Sequence, residues 1–125
     1  MLKYINENEY KKISGTESIP DNFDKLVIEA SSYINRRTFG RIDINNIPEQ
    51  VKYATCLIIE LENKANIQKK EIGNLKSQNI EGWSESYSAP EEIDSKLKMD
   101  KEDILKEQLW NVIGKDSNYL LYRGV

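Results

Sequence analysis

Histidine is absent from this 125-residue chain, and cysteine occurs once, at Cys56. The first absence removes imidazole acid–base catalysis, the Ser-His-Asp and Cys-His nucleophile systems, and histidine metal ligation. The second excludes an intramolecular disulfide framework and any multi-cysteine zinc site. The glycines Gly15, Gly40, Gly73, Gly82, Gly114 and Gly124 stand isolated, so there is no glycine-rich phosphate loop, and no Asp-rich calcium loop occurs either. No apolar run approaches the roughly 18–20 residues of a membrane span. The opening Met1-Leu2-Lys3-Tyr4-Ile5-Asn6-Glu7 has neither an apolar core region nor a small-residue cleavage site, so a signal peptide is not expected.

An excess of positive charge is also missing. Eighteen Lys and Arg face 21 Asp and Glu, a net charge of −3. Sequence-independent nucleic-acid clamps are normally basic, so tight DNA binding of that kind is not expected. Carboxylates are plentiful but scattered along helical faces. Glu60 and Glu62 are near in sequence yet point apart on a helix, and nothing resembles a paired acid–base constellation. No catalytic residue, cofactor site or metal site is assigned. The expectation is one small, soluble, cytoplasmic domain that is not an enzyme.

The pattern that is present is helical. Asn6, with Glu9 three residues on, makes a capping-box pair for a short helix over 7–13, in which Tyr10 and Ile13 share a face. Pro20-Asp21 reads as a turn with Asp21 as N-cap. Phe23, Leu26, Val27, Ala30, Tyr33 and Ile34 then form one apolar stripe, predicting a helix over 22–38 that ends at Gly40. Pro48 opens a third helix, expected over 48–69, with a stripe of Val51, Ala54, Thr55, Ile58, Leu61 and Ala65 widened by Leu57. Cys56 lies among these residues and reads as a small packing residue. After Pro90, Ile93 and Leu97 carry a short apolar edge, and Ile104, Leu105, Leu109, Trp110 and Ile113 make a firm stripe stopped by Gly114. Asp100 can re-cap the chain, so a break near 98–100 would make this region two helices.

Two segments do not read as core. Residues 71–90 break the helical pattern and place two polar, partly alternating arms about Gly82, consistent with a loose β-hairpin or a mobile loop. Over 71–94 Lys76 is the only cation, against Glu71, Glu81, Glu85, Glu91, Glu92 and Asp94, so this stretch would repel a phosphate backbone. The closing Asn118-Tyr119-Leu120-Leu121-Tyr122-Arg123-Gly124-Val125 is apolar and aromatic where termini tend to be polar. It either folds back to pad the core or docks on a partner. The basic set Arg36, Arg37 and Arg41 has two readings as well: cations placed on a helix C-terminus, or a patch for an acidic neighbouring surface.

Taken in order, these pieces resemble the small head–tail connector (adaptor or head-completion) proteins of long-tailed double-stranded DNA phages and related prophages. Four stretches carry the resemblance across nearly the whole chain. They are Tyr4-Ile5 with its polar turn and short helix, and the helix from Phe23 to Phe39 with Ala30-Ser31-Ser32-Tyr33-Ile34-Asn35 and Arg37-Thr38. The third is Val51-Lys52-Tyr53-Ala54-Thr55-Cys56 followed by the loop from Ile72-Gly73 to Gly82-Trp83-Ser84-Glu85-Ser86-Tyr87, similar to a Lys-Ser-Glu, Gly, Ser-x-Ser-Tyr pattern. The last is Tyr119-Leu120-Leu121-Tyr122-Arg123-Gly124-Val125, similar to a Leu-x-Tyr-Arg-Gly-Val ending. The chain departs from the pattern at Gln78-Asn79, where an acidic residue is frequent, and at Trp83, where a smaller one is common.

The resemblance implies a mainly α fold: a bundle of four to five helices, a long loop between the third and fourth, and an extended C-terminal tail. Residues 1–117 would be the connector domain and 118–125 a docking tail. It implies a structural subunit of a ring, typically of twelve copies, beneath the portal protein. The ring extends the DNA channel, through which DNA passes without sequence-specific binding, and offers a surface to a tail-completion or stopper protein. The protein would be assembled in the host bacterial cytoplasm and reside at the virion head–tail interface, with no membrane and no cofactor. The residues implied for portal binding are Tyr119, Leu120, Leu121, Tyr122, Arg123 and Val125. Those for the channel or inter-subunit loop are Lys76, Glu81, Trp83, Glu85 and Tyr87. Arg36, Arg37 and Arg41 fall to a subunit interface. On these terms a chain ending at Ser117 would lose portal binding and keep its helices. The competing expectation is a small helical DNA-binding or regulatory protein, against which stand the acidic balance and the lack of a basic recognition helix. A small enzyme or enzyme inhibitor is the third.

Overall fold

Four helices account for most of the 2–77 and 90–122 described in a computed structural model of the chain: α1 (Glu7–Ser14), α2 (Phe23–Arg37), α3 (Glu49–Ser77) and α4 (Pro90–Leu109). The fold is the small helical bundle expected, and extended pairing among the described residues is limited to one antiparallel bridge between Ile113 and Tyr119.

The ends of α1 are set by its sequence. The Glu9 N–H donates to the Asn6 side-chain oxygen at 2.8 Å, and the Asn6 N–H donates to the Glu9 carboxylate at 3.2 Å, completing the capping box. Gly15 closes the helix in the left-handed region at φ 74°. The start of α2 differs from expectation. Asn22, not Asp21, occupies the cap position, at φ 60° and with no side-chain cap bond. The helix is held instead by what it buries: Phe23 packs edge-on against Tyr10, ring centroids 5.3 Å apart. The N-terminal residues fasten to its middle, where the Tyr4 N–H donates to buried Ser31 Oγ at 2.9 Å.

α3 runs through the centre. Val51, Ala54, Cys56, Ile58 and Ile59 are all buried, and Thr55, also buried, satisfies its hydroxyl by donating to the Val51 carbonyl at 2.7 Å. Around them close Ile5, Val27, Ile34, Leu105, Leu109 and Leu120, which make one core. Cys56 is the packing residue expected, and burial first, then Glu60 nearby, pushes its thiol from 9.0 up to about 12. The unfolded chain would release that proton near 9. Stability from this site is therefore full below pH 9 and is lost as pH rises from there toward 12. At pH 8 a disulfide-exchange thiol reagent should label Cys56 at least ~100-fold more slowly in the native protein than in urea. Equal rates would place the thiol at the surface.

Two helices depart from their expected bounds. α3 continues to Ser77, so residues 71–77, read as the start of a hairpin or loop, are helical. Glu71, Leu75 and Lys76 favour helix, and an established helix adds a bond for each residue it fixes, against about 1 kcal/mol for Gly73. The rest of that expected loop lies outside the described residues. α4 is continuous through 98–100: Asp100 does not cap a new helix but pairs with Lys96 one turn earlier, at 3.0 Å. It ends at Leu109, five residues before Gly114. Trp110 and Ile113, expected in its core stripe, are therefore thrown outward at 67% and 57% exposure, while Val112 turns in.

Candidate docking surface around Arg41

The C-terminal segment does not trail away from the bundle. After α4 the chain makes a tight hairpin. The Gly114 N–H donates to the Asn118 carbonyl and the Leu120 N–H to the Val112 carbonyl, both at 2.8 Å, which sets Ile113 opposite Tyr119. These two bonds flank that pair, so their side chains stand close together on one face. Leu120 on the other face is completely buried in the main core. Residues 118–122 thus belong to the folded domain, and the boundary expected at 117 is not a structural one.

A second turn faces this hairpin. At the end of α2 the Gly40 N–H donates to the Asn35 carbonyl at 3.0 Å and the Phe39 N–H to the Arg36 carbonyl at 3.3 Å. That is the Schellman pattern, with the left-handed C′ position filled by Phe39 at φ 57° in place of the usual glycine. Gly40 follows, also left-handed at φ 69°. Glycine was expected at C′, and a bulky side chain there is conformationally costly. The arrangement projects the Phe39 ring outward, half exposed.

Arg41 joins the two turns. Its backbone carbonyl accepts from the Lys115 N–H at 2.8 Å, and its guanidinium reaches across the hairpin. Nη1 donates to the Tyr119 carbonyl at 2.9 Å, to the Leu120 carbonyl at 3.4 Å, and to the Tyr122 carbonyl. Nε pairs with Asp116 at 3.0 Å. The guanidinium carbon lies 5.0 Å from the Phe39 ring centroid and 5.7 Å from that of Tyr122. The close approach needs a small residue opposite: a β-carbon at Gly114 would come within 2.6 Å of Arg41 Cβ. Desolvation opposes ionisation of Asp116, but hydrogen bonds from Asn118 and Arg41 together outweigh it and hold the carboxyl below its ordinary value.

Phe39, Ile113, Tyr119 and Tyr122 are all exposed here: the rings of Phe39 and Tyr122 flank the Arg41 guanidinium, Ile113 and Tyr119 pair across the hairpin, and exposed Trp110 lies three residues before Ile113. Apolar side chains of this size exposed together mark binding sites more often than bare surface. Of the residues expected to bind a partner here, Tyr119 and Tyr122 are exposed and Leu121 is half-buried. Leu120 is corrected to a core residue. Arg123 and Val125 lie outside the described residues. Phe39, Trp110 and Ile113 were not expected at the surface; a large apolar residue just before Gly40, where the helix must stop, was the one available signal.

The three arginines do not form one patch. Arg36 is exposed, but Arg37 is spent on Glu102 of α4 at 2.5 Å and Arg41 on the hairpin. The guanidinium groups of Arg37 and Arg41 hold the protein's own elements together. Lys76 lies in α3 rather than in a loop. Glu81, Trp83, Glu85 and Tyr87 fall outside the described residues. Among the described residues no group of three or more Cys, Asp or Glu is placed to hold a metal ion, and no helix is long and apolar enough to cross a membrane. No family model, curated protein or solved structure matches the chain.

Proposed function

We propose that this chain is a structural subunit of a phage head–tail connector, a ring component that docks beneath a portal protein and passes the DNA channel on toward the tail. The observation that carries this reading is the surface around Arg41. It lies on the C-terminal stretch that resembles the connector ending, and it offers exposed aromatic side chains already held in place. Aromatic anchors with a nearby arginine are the side chains that contribute most at protein interfaces. Fixing them before contact reduces the ordering entropy that association must overcome. In this reading Tyr119, Tyr122 and Phe39 are the portal contacts, Leu120 holds the segment to the bundle, and Arg41 positions it. Ring closure needs a heterologous contact between two different faces of each subunit. An acidic lining repeated around the ring lets DNA slide without sequence-specific capture.

The test is co-sedimentation with the portal ring encoded in the same gene cluster. The wild-type chain should bind saturably, and the double variant Tyr119→Ala/Tyr122→Ala should bind about tenfold or more weakly while its unfolding midpoint stays near wild type. Undiminished binding by the folded double variant would move the contact elsewhere on the chain. Failure of the wild type to bind any portal ring would overturn the connector reading.

A further inference from the structure

The bundle has one core, and α3 and α4 outrun it. At 1.5 Å per residue the 29 residues of α3 span about 43 Å and the 20 of α4 about 30 Å. On α3 the main core ends at Ile59, and on α4 it begins at the partly buried Ile104. Beyond those points, past a set of polar contacts from α2, the two helices run against each other as an antiparallel arm. Among the residues whose side chains are described, its buried apolar cluster is Ala65 and Ile93 with the partly buried Leu97, while Ile67 and Met99 are exposed.

The junction between bundle and arm is polar. Glu102 accepts from Arg37 at 2.5 Å and from the Tyr33 hydroxyl at 3.4 Å, which is where α2 grips α4. One residue further out, Lys101 pairs with Glu62 at 2.8 Å and lies over the Tyr33 ring at 4.5 Å. The Nε of Arg37 is buried here without a hydrogen-bond partner. Nearer the tip the helices are joined by Lys69 and Asp94, a half-exposed pair of the kind that contributes little. Among the described residues apolar burial is therefore continuous within the bundle, is interrupted by this belt of charge, and resumes beyond it only as the small cluster of Ala65, Ile93 and Leu97.

We infer that the α3–α4 arm is a separate cooperative unit that opens while the bundle stays folded, with the belt of Tyr33, Arg37, Glu62, Lys101 and Glu102 as its hinge. Local opening follows the density of buried apolar contacts, which among the described residues falls across the belt. The arm is then a conformational device: it can re-pair or settle against a neighbour without disturbing the Arg41 surface at the far end of α4. This does not rest on the connector reading and holds for the free chain.

Hydrogen exchange on the intact protein tests it. Amides of residues 63–71 and 93–100 should exchange at least ~100-fold faster than those of 54–59 and 105–109. Leu97→Ala should speed exchange in the arm by about tenfold or more and leave the bundle amides and the unfolding midpoint unchanged. Leu105→Ala, a bundle variant, should raise exchange of the bundle amides. Similar rates in arm and bundle of the wild type would overturn the inference. So would a Leu97→Ala chain whose bundle amides accelerate as much as those of the arm.

Discussion

Ending the chain at Ser117 is expected to unfold it or leave it close to unfolding, a result read from urea denaturation followed by far-UV circular dichroism. Leu120 is the reason. It is fully buried between the helices, and replacing such a leucine by alanine costs about 3–5 kcal/mol through lost transfer energy and the cavity left behind. Truncation adds the loss of half-buried Leu121 and of the hydrogen bond from the Leu120 N–H to the Val112 carbonyl. Domains of this size are stable by only about 5–15 kcal/mol, so the deletion consumes much of the total. The milder variant Leu120→Ala should lower the stability by about 3–4 kcal/mol with little change in the dependence on urea. Tyr119→Ala and Tyr122→Ala, at exposed neighbours, should each shift it by less than about 1 kcal/mol. A truncated chain as stable as the full one would mean that Leu120 does not fill the core. It also follows that loss of portal binding by the truncated chain would not identify the docking residues, because the fold would fail with it.

What the sequence made legible was whatever repeats at the helical period. The stripe from Phe23 to Ile34, the buried face from Val51 to Ile58 and the Asn6–Glu9 capping box were all readable because each is a local pattern. The helix ends were less so. Asp100 looked like a cap because aspartate favours caps, but in place it pairs with Lys96 one turn back, and the helix continues. Residues 71–77 read as loop because Gly73 and polar neighbours interrupt the stripe, yet α3 carries through them. A stripe also cannot say where its helix stops. Trp110 and Ile113 keep the spacing of Leu105 and Leu109 on paper and leave the core once the helix ends. The surface around Arg41 was least legible, since it depends on contacts some 75 residues apart in sequence, such as Arg41 with Asp116. The sequence offered Arg41 as one of three clustered cations. Only the fold separates them, sending Arg37 to α4, Arg41 to the hairpin, and leaving Arg36 in solvent.

Arg41→Ala is expected to release the C-terminal hairpin, with a loss of about 2–4 kcal/mol in urea unfolding. The size follows from which bonds matter. The Asp116 partner is 43% exposed, and an ion pair that open to solvent contributes at most about 1 kcal/mol. Asp116→Asn should therefore be mild. The carbonyls of Tyr119, Leu120 and Tyr122 weigh more, because one guanidinium serves all three and its side chain is only 13% exposed. Removing it leaves them without that donor and strips the contacts with Phe39 and Tyr122. Arg41→Lys should recover less than half of the loss. An ammonium is a point charge and cannot serve the carbonyls and Asp116 from separate nitrogens while its centre lies near two rings. Tyrosine near-UV circular dichroism supplies the structural readout: it should weaken in Arg41→Ala and stay near wild type in Asp116→Asn. On the connector reading portal binding should follow the same order, because Arg41 acts by holding Phe39, Tyr119 and Tyr122 in position. An Arg41→Ala chain that keeps both its near-UV signal and its stability would show that Leu120 alone secures the segment.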